Sequence, residues 1–304
     1  MKISGFTMVR NATRFYYPVK ESIASILPVV DEFIVALGEG DAADKTLEEI
    51  NSLNSSKIKI IPRIWDEKLF INSEIFRHET NAALRECTGD WCFYIQADEA
   101  VHEEDLDYIY NVCLKYNDDK NVEGILFRYL HFWGDYSHYL PFHGWYRNEI
   151  RIIRNKIGIE SIKDAQSFRL NNRKLNVVSS DARIFHYGWV RPPQLMTSKK
   201  NEHDNIHRGI NDKEKLIAGV DYFDYGNMSA IPLYKGTHPE VMKERIKKFD
   251  WHNLLRNNKH NPSRQLFKHE KLHYRIVSWF ENNFLNGKQL WGYKNWNIIK
   301  SDPK

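Results

Sequence analysis

Apolar positions along this chain fall into short runs separated by polar, glycine or proline breaks. Residues 3–9 are such a run, ended by Arg10-Asn11-Ala12-Thr13, and that length between turn signals predicts a strand. A helix opens at Tyr17-Pro18 with Ile23, Ile26 and Leu27 on one face, and Pro28 closes it. Strands are expected at 33–37 and at 57–61, the second ended by Pro62, with a glycine and acid loop at 38–46 and a helix from near Thr46 between them. A helix over 72–87 stops at Thr88-Gly89-Asp90. Trp91-Cys92-Phe93-Tyr94-Ile95 then reads as a buried strand that runs into Gln96-Ala97-Asp98-Glu99. Leu106, Ile109, Tyr110 and Cys113 follow at helical spacing. Strand and helix alternate throughout this first third, which predicts right-handed βαβ units and a mostly parallel sheet.

The pattern then changes. Residues 124–130 and 150–154 read as strands, 131–136 as an aromatic loop, and 174–178 with 182–186 as a hairpin-like pair, so mixed sheet is expected beside the parallel half. From Pro192 onward the spacing is helical, broken by a loop at 226–239. Residues 240–285 are expected to be mainly helical, with Met242, Ile246, Phe249 and Leu254 facing inward and lysines outward.

Composition narrows the class. An apolar fraction of 42% suits a soluble protein, and no apolar run is long enough to span a bilayer. The first ten residues lack a signal-peptide pattern, and Cys87, Cys92 and Cys113 form no CxxC pair. A reduced, cytoplasmic protein is expected. Residues 238–304 hold 14 Lys and Arg against 6 Asp and Glu, a net +8, whereas residues 1–237 hold 30 against 34, a net −4. A basic excess confined to one end argues against a nucleic-acid binder. With Trp251, Trp279, Trp291 and Trp296 in it, the basic end fits either a peripheral contact with the inner face of an anionic membrane or a helical cap with a solvated lysine face.

The densest chemistry lies where the buried strand 91–95 delivers Asp98 and Glu99. Carboxylates at the C-terminal end of a sheet strand need a cation or a hydrogen-bond network. The competing reading is an acidic helix start, since Glu103, Glu104 and Asp105 follow. A metallohydrolase is disfavoured: no HExxH occurs, and His203 and His207 lack an intervening glutamate base.

Four landmarks together resemble the family 2 glycosyltransferases of the GT-A fold, of bacterial type, over residues 1–200. They are the opening strand ending in Arg10-Asn11; Val30-Asp31-Glu32-Phe33-Ile34-Val35 followed by the acidic glycine loop and Asp44-Lys45-Thr46; Gly89-Asp90-Trp91 leading into Gln96-Ala97-Asp98-Glu99; and His186-Tyr187-Gly188-Trp189-Val190-Arg191. The resemblance implies an α/β, GT-A-like nucleotide-binding sandwich with a mixed central sheet over 1–200 and a mainly helical extension over 201–304. It implies transfer of a sugar from a nucleotide-sugar donor to a carbohydrate or glycolipid acceptor, in surface polysaccharide or glycoconjugate synthesis. The reaction would be metal-assisted and inverting, with Mn²⁺ or Mg²⁺ neutralising the leaving diphosphate.

Carried over residue by residue, the resemblance makes Asp98 the last acid of a DxD motif and a metal ligand, with His186 as second ligand or as a hydrogen-bonded strand-end histidine. Arg10 and Asn11 would lie near the nucleotide. Asp164 is the candidate general base and Glu149 the other, unless Glu149 pairs with nearby arginines such as Arg147 and Arg151. Two positions depart from the pattern. Gln96 stands where the family has the first acid, leaving it a hydrogen-bonding role toward the donor. Leu37-Gly38 occupies the place of the base-reading acid, for which Glu39 or Asp41 would substitute. Loss of the first acid also admits a catalytically degenerate nucleotide-sugar-binding protein.

Overall fold

A computed structural model describes residues 1–208, 222–256, 262, 264–285, 287–292 and 294–304. Its first third follows the alternation of the sequence: β1 Ile3–Val9, α1 Val19–Ile26, β2 Glu32–Gly38, α2 Thr46–Asn51, β3 Ile58–Arg63, α3 Glu74–Arg85, β4 Trp91–Tyr94. After it come β5 Glu99–Val101, α4 Leu106–Lys115, β6 Gly124–Trp133, β7 Asn148–Arg154, β8 Ile159–Ile162, β9 Ser167–Leu170 and β10 Leu175–Trp189. The chain ends with α5 Pro193–Arg208, α6 Lys243–Lys247, α7 Leu272–Phe284 and β11 Trp296–Asp302.

Among the described residues these strands build one nine-stranded sheet, ordered β11-β10-β6-β7-β4-β1-β2-β3 with β5 paired to β10, and a separate β8–β9 hairpin. Strands β1 to β4 are mutually parallel, β7 runs antiparallel between β4 and β6, and β10 and β11 continue parallel to β6. This is the expected α/β sandwich with a mixed central sheet.

Continuous apolar runs make sense because both sheet faces are covered. Phe33 and Val35 of β2, with Trp91 and Phe93 of β4, pack into a core shared with α1 and α4. Their neighbours Ile34, Ala36, Cys92 and Tyr94 point the other way, into a core shared with α3 and the β8–β9 hairpin. The chain order places β1 between β2 and β4, so the crossover through α3 reverses direction there, and loops after β1 and β4 meet at the sheet's C-terminal edge.

Three expectations change. Residues 131–133 continue β6 instead of entering a loop, because His131 and Trp133 pair with His186 and Trp189 of β10. The hairpin-like pair is one strand of 15 residues. Its polar centre, Ser179-Ser180-Asp181, reads as a turn by composition, yet Ser180 Oγ donates to Leu126 O at 2.7 Å and a register shift absorbs the irregularity. Residues 99–101 form a short strand antiparallel to β10, and the acidic helix start follows at Glu103–Asp105, one 3₁₀ turn that leads into α4. Toward the C-terminus, Met242 is buried and Ile246 and Phe249 pack on the core, but Leu254 is exposed. Trp251 and Trp296 are buried while Trp279 and Trp291 are exposed. All three cysteines are free and buried. No helix among the described residues is long and apolar enough to cross a membrane.

Glu149, on β7, is buried against Gln166 and Asn295, whose amides donate to it at 3.2 and 3.4 Å. Burial lifts its carboxyl from an ordinary 4.5 to about 7, opposed by the charge of Arg151. The unfolded chain releases this proton near the ordinary value and the folded chain holds it to about 7, so stability falls as pH rises through that window. Glu149→Gln is expected to raise stability by up to about 3 kcal/mol above pH ~7 and to change it little near pH ~4. Urea titrations of both proteins at the two pH values check this; a gain of equal size at both would overturn the assignment.

Candidate functional site

The loop that leaves β4 is held from below. Glu99 is fully buried and accepts from Arg151 Nε and Nη2 at 2.9 and 2.8 Å, from Tyr129 Oη at 2.7 Å and from the backbone N–H of Gln96 at 3.1 Å. Arg151 spends its remaining donor, Nη1, on the carbonyls of Ile150 and Gln166. Glu99 is therefore the anchor of the loop, and Asp98 is the acid that faces the site.

Asp98 Oδ2 lies 3.8 Å from His186 Nε2 and 3.6 Å from Lys199 Nζ. Its backbone carbonyl accepts from Tyr187 N at 2.7 Å, which ties the loop to β10. Burial pushes the Asp98 carboxyl up, but His186, Lys199 and Arg191 outweigh it and hold the group below the ordinary carboxylate range. Burial moves the Lys199 ammonium the other way, down to about 7, helped by Arg191 and opposed by Asp98.

A second histidine, His131 on β6, fixes the state of His186. His131 Nε2 lies 2.7 Å from the Tyr146 carbonyl, which can only accept, so this nitrogen carries the proton. Burial lowers His131 to about 3 and His186 to about 4, so both rings are neutral near pH ~7. His131 Nδ1 is then an acceptor, and His186 Nδ1, 3.0 Å away, is its donor. That leaves His186 Nε2 with a bare lone pair directed at Asp98.

Gly188 keeps the space between them open. A Cβ there would stand 2.6 Å from His186 Nε2 and 2.7 Å from Asp98 Oδ2. Oxygen and nitrogen ligands bind divalent ions at about 2.0–2.2 Å, so atoms 3.8 Å apart can share one. An ionised carboxylate, a free imidazole lone pair and a gap that a Cβ would fill thus fit a divalent cation with two protein ligands. Among the described residues no cluster of three or more His, Cys, Asp or Glu suited to a metal occurs, so the rest of its shell would come from substrate oxygens and water.

An open cleft adjoins this pair, lined by Arg10, Asn11, Tyr17, Trp65, Lys199 and His203 among others. Asn11 adopts a left-handed backbone (φ 55°), its Oδ1 accepts from Asp41 N at 2.8 Å, and its Nδ2 is buried without a partner. Gly40 lets the loops close, since a Cβ there would sit 2.8 Å from Asn11 Oδ1. Asp44 clamps the same loops by accepting from Thr13 Oγ1 at 2.6 Å and Thr46 N at 3.1 Å. Arg10 lies over the Trp65 ring and donates to the Glu39 carbonyl, while the Glu39 side chain is exposed.

The remaining candidates lie further out. Gln96 Nε2 donates to Tyr94 Oη at 3.3 Å and Ala165 O at 3.4 Å, which engages its amide nitrogen with the β8–β9 hairpin. Asp164 is exposed in that hairpin's turn and acts electrostatically on His203; among the described residues it shares no hydrogen bond or ion pair with Asp98 or His186. Sequence reasoning missed His131, Lys199 and the role of Gly188. The motif around His186 contained Gly188, but Lys199 on a polar helix and His131 in an aromatic run carry no local signature.

Comparisons with known proteins give remote structural likeness only. No family model matches the chain, and no curated protein matches it. Among solved structures, S. aureus TarS is 13% identical, over 67% of this chain and 39% of that one, with a TM-score of 0.40. The S. aureus TarS 1–349 structure with UDP-GlcNAc is 18% identical over 43% and 34%, with a TM-score of 0.31. Mycobacterium tuberculosis glucosyl-3-phosphoglycerate synthase, with Mn²⁺, UDP-glucose and glycerol 3-phosphate, is 15% identical over 42% and 44%, with a TM-score of 0.30. The chain spans less than half the length of each.

Glu99→Gln would leave Arg151 buried with its charge uncompensated and is expected to cost about 3–5 kcal/mol of folding stability. Urea unfolding of the two proteins measures this, and a loss below about 1 kcal/mol would mean the pair is not the anchor of the loop.

Proposed function

We propose that the protein is a nucleotide-sugar-dependent glycosyltransferase, metal-assisted and inverting, whose acceptor is a carbohydrate or glycolipid hydroxyl in surface polysaccharide or glycoconjugate synthesis. The observation that carries this reading is the open gap between Asp98 Oδ2 and His186 Nε2 at the C-terminal edge of the sheet, beside a cleft that holds Arg10, Asn11 and Lys199.

In this reading Arg10 and the unpartnered Asn11 Nδ2 meet the nucleotide, with Glu39 at the rim. Asp98 and His186 would hold Mn²⁺ or Mg²⁺, which would supply Lewis-acid neutralisation of the diphosphate. Lys199 and Arg191 add positive charge on the same side, which favours departure of an anionic leaving group. Gln96 orders the loop that carries Asp98. Asp164, on the hairpin turn facing His203, accepts the proton of the acceptor hydroxyl as its oxygen bonds to the anomeric carbon and the bond to the nucleoside diphosphate breaks on the opposite face. The extension over 201–304 would frame the acceptor side.

A thermal-shift panel of nucleotide sugars, each with and without Mn²⁺, tests this. At least one donor is expected to raise the unfolding midpoint only with the metal present. Gly188→Ala and Asp98→Ala are each expected to abolish that increment, read against each variant's own ligand-free midpoint, which falls because the first drives a Cβ to within 2.6 Å of the His186 ring and the second leaves Lys199 without its counter-charge. No response to any donor in either condition would exclude the reading. A response without turnover of isotope-labelled donor would favour a binding protein.

A further inference from the structure

Helix α7 is built inside out. Its inward side carries Ser278 and Glu281, 2% and 0% exposed. Ser278 Oγ accepts from His143 N at 2.7 Å. Glu281 pairs with His143 Nδ1 at 2.7 Å and Arg147 Nη2 at 3.2 Å, and accepts from Leu290 N at 2.7 Å. The outward side carries Leu272, Ile276, Trp279, Phe280 and Phe284, and Leu272 is 73% exposed. At 100° per residue, Leu272, Ile276, Trp279 and Phe280 fall on one stripe and Phe284 borders it. Trp291, just beyond the helix, is 88% exposed.

A surface helix normally turns its apolar stripe to the core. Here the core side is satisfied by ion pairs, and a contiguous apolar stripe faces outward, the kind of patch that marks an interaction surface. The charges around it select the partner. Lys271 precedes the stripe in sequence and Lys288 and Lys294 flank Trp291 in sequence, and all three are exposed. Among the described residues the acids of this segment are paired within the fold, Glu281 with Arg147 and the His143 ring, and Glu270 with Arg264 at 2.7 Å. An apolar, tryptophan-bearing stripe flanked by unopposed lysines is complementary to an anionic lipid surface: the rings and aliphatic side chains enter the headgroup boundary and the lysines meet phosphate.

We propose that the outer face of α7, with Trp291, docks the protein on an anionic bilayer surface, lying in the interface without crossing it. This goes beyond the transferase reading and stands whether or not that reading holds.

The test is co-sedimentation of the full chain with vesicles of phosphatidylglycerol and phosphatidylcholine, and with vesicles of phosphatidylcholine alone. Binding is expected to the first and to be much weaker to the second, with a blue shift and reduced acrylamide quenching of tryptophan fluorescence. Replacing Lys271, Lys288 and Lys294 together by Gln is expected to weaken binding roughly hundredfold, from about fivefold per lysine. Ile276→Ser with Phe280→Ser, and separately Trp291→Ser, are each expected to reduce binding and the spectral shift; both change exposed side chains, so an unchanged thermal midpoint confirms intact folding. Equal binding to neutral and anionic vesicles, or none to either, would overturn the proposal. So would a concentration-dependent dimer in light scattering that the Ile276/Phe280 variant abolishes, because the stripe would then be covered by a second copy.

Discussion

The ion pair between Glu99 and Arg151 is the constraint on which the rest of the site depends. Both side chains are fully buried, and removing two charges from water costs several kcal/mol each. The cost is offset because the pair is bidentate and Tyr129 and the Gln96 backbone N–H complete the carboxylate. Those partners come from separate parts of the sheet: the loop after β4, β6 and β7. The bridge therefore joins the parallel half to the mixed half where they meet, and it fixes the segment 96–99, in which Asp98 faces the site.

With Asp98 set from below, the sheet's register sets the rest. His186 lies opposite His131 on β10 and β6, and the two rings are wedged so that one chain of protons runs from His186 to His131 to the Tyr146 carbonyl. The imidazole that faces Asp98 thus presents a lone pair without needing a carboxylate behind it. One carboxylate faces the ammonium of Lys199 and the buried guanidinium of Arg191, so the pocket without a metal is already biased toward anions. A diphosphate would find charge there from the protein itself, and a divalent ion would share Asp98 with Lys199.

Much of the sheet could be read from the chain because β1 to β4 are short apolar runs bounded by Pro, Gly and polar clusters, covered on both faces. The errors share one cause. Ser179-Ser180-Asp181 looks like a turn locally and is held in a strand by a hydrogen bond to Leu126 O, 54 residues earlier. Glu99 looks like a site acid beside Asp98, and only the distant Arg151 makes it structural. His131 seemed one aromatic-loop residue among several until β10 was placed beside it, and Lys199 reaches Asp98 from a helix with no motif. Residue type marks Asp98 and His186 as candidates, but which acid faces the cleft is decided by partners far away in sequence.

Helix α7 shows the same limit of periodicity in another form. The spacing of Leu272, Ile276, Trp279 and Phe280 identifies an amphipathic helix but does not say which side is inward. That choice was made elsewhere, by His143 and Arg147 on the segment between β6 and β7, which need a buried acceptor and receive Glu281. Turning the apolar stripe inward would carry Glu281 to solvent and leave Arg147 half-buried beside the Gly287 and Pro141 carbonyls without its counter-charge. Leaving that charge uncompensated costs about 3–5 kcal/mol, whereas an outward apolar stripe can still be covered by a second surface. The polar anchor therefore decides the orientation of the helix, and the exposed stripe is its consequence.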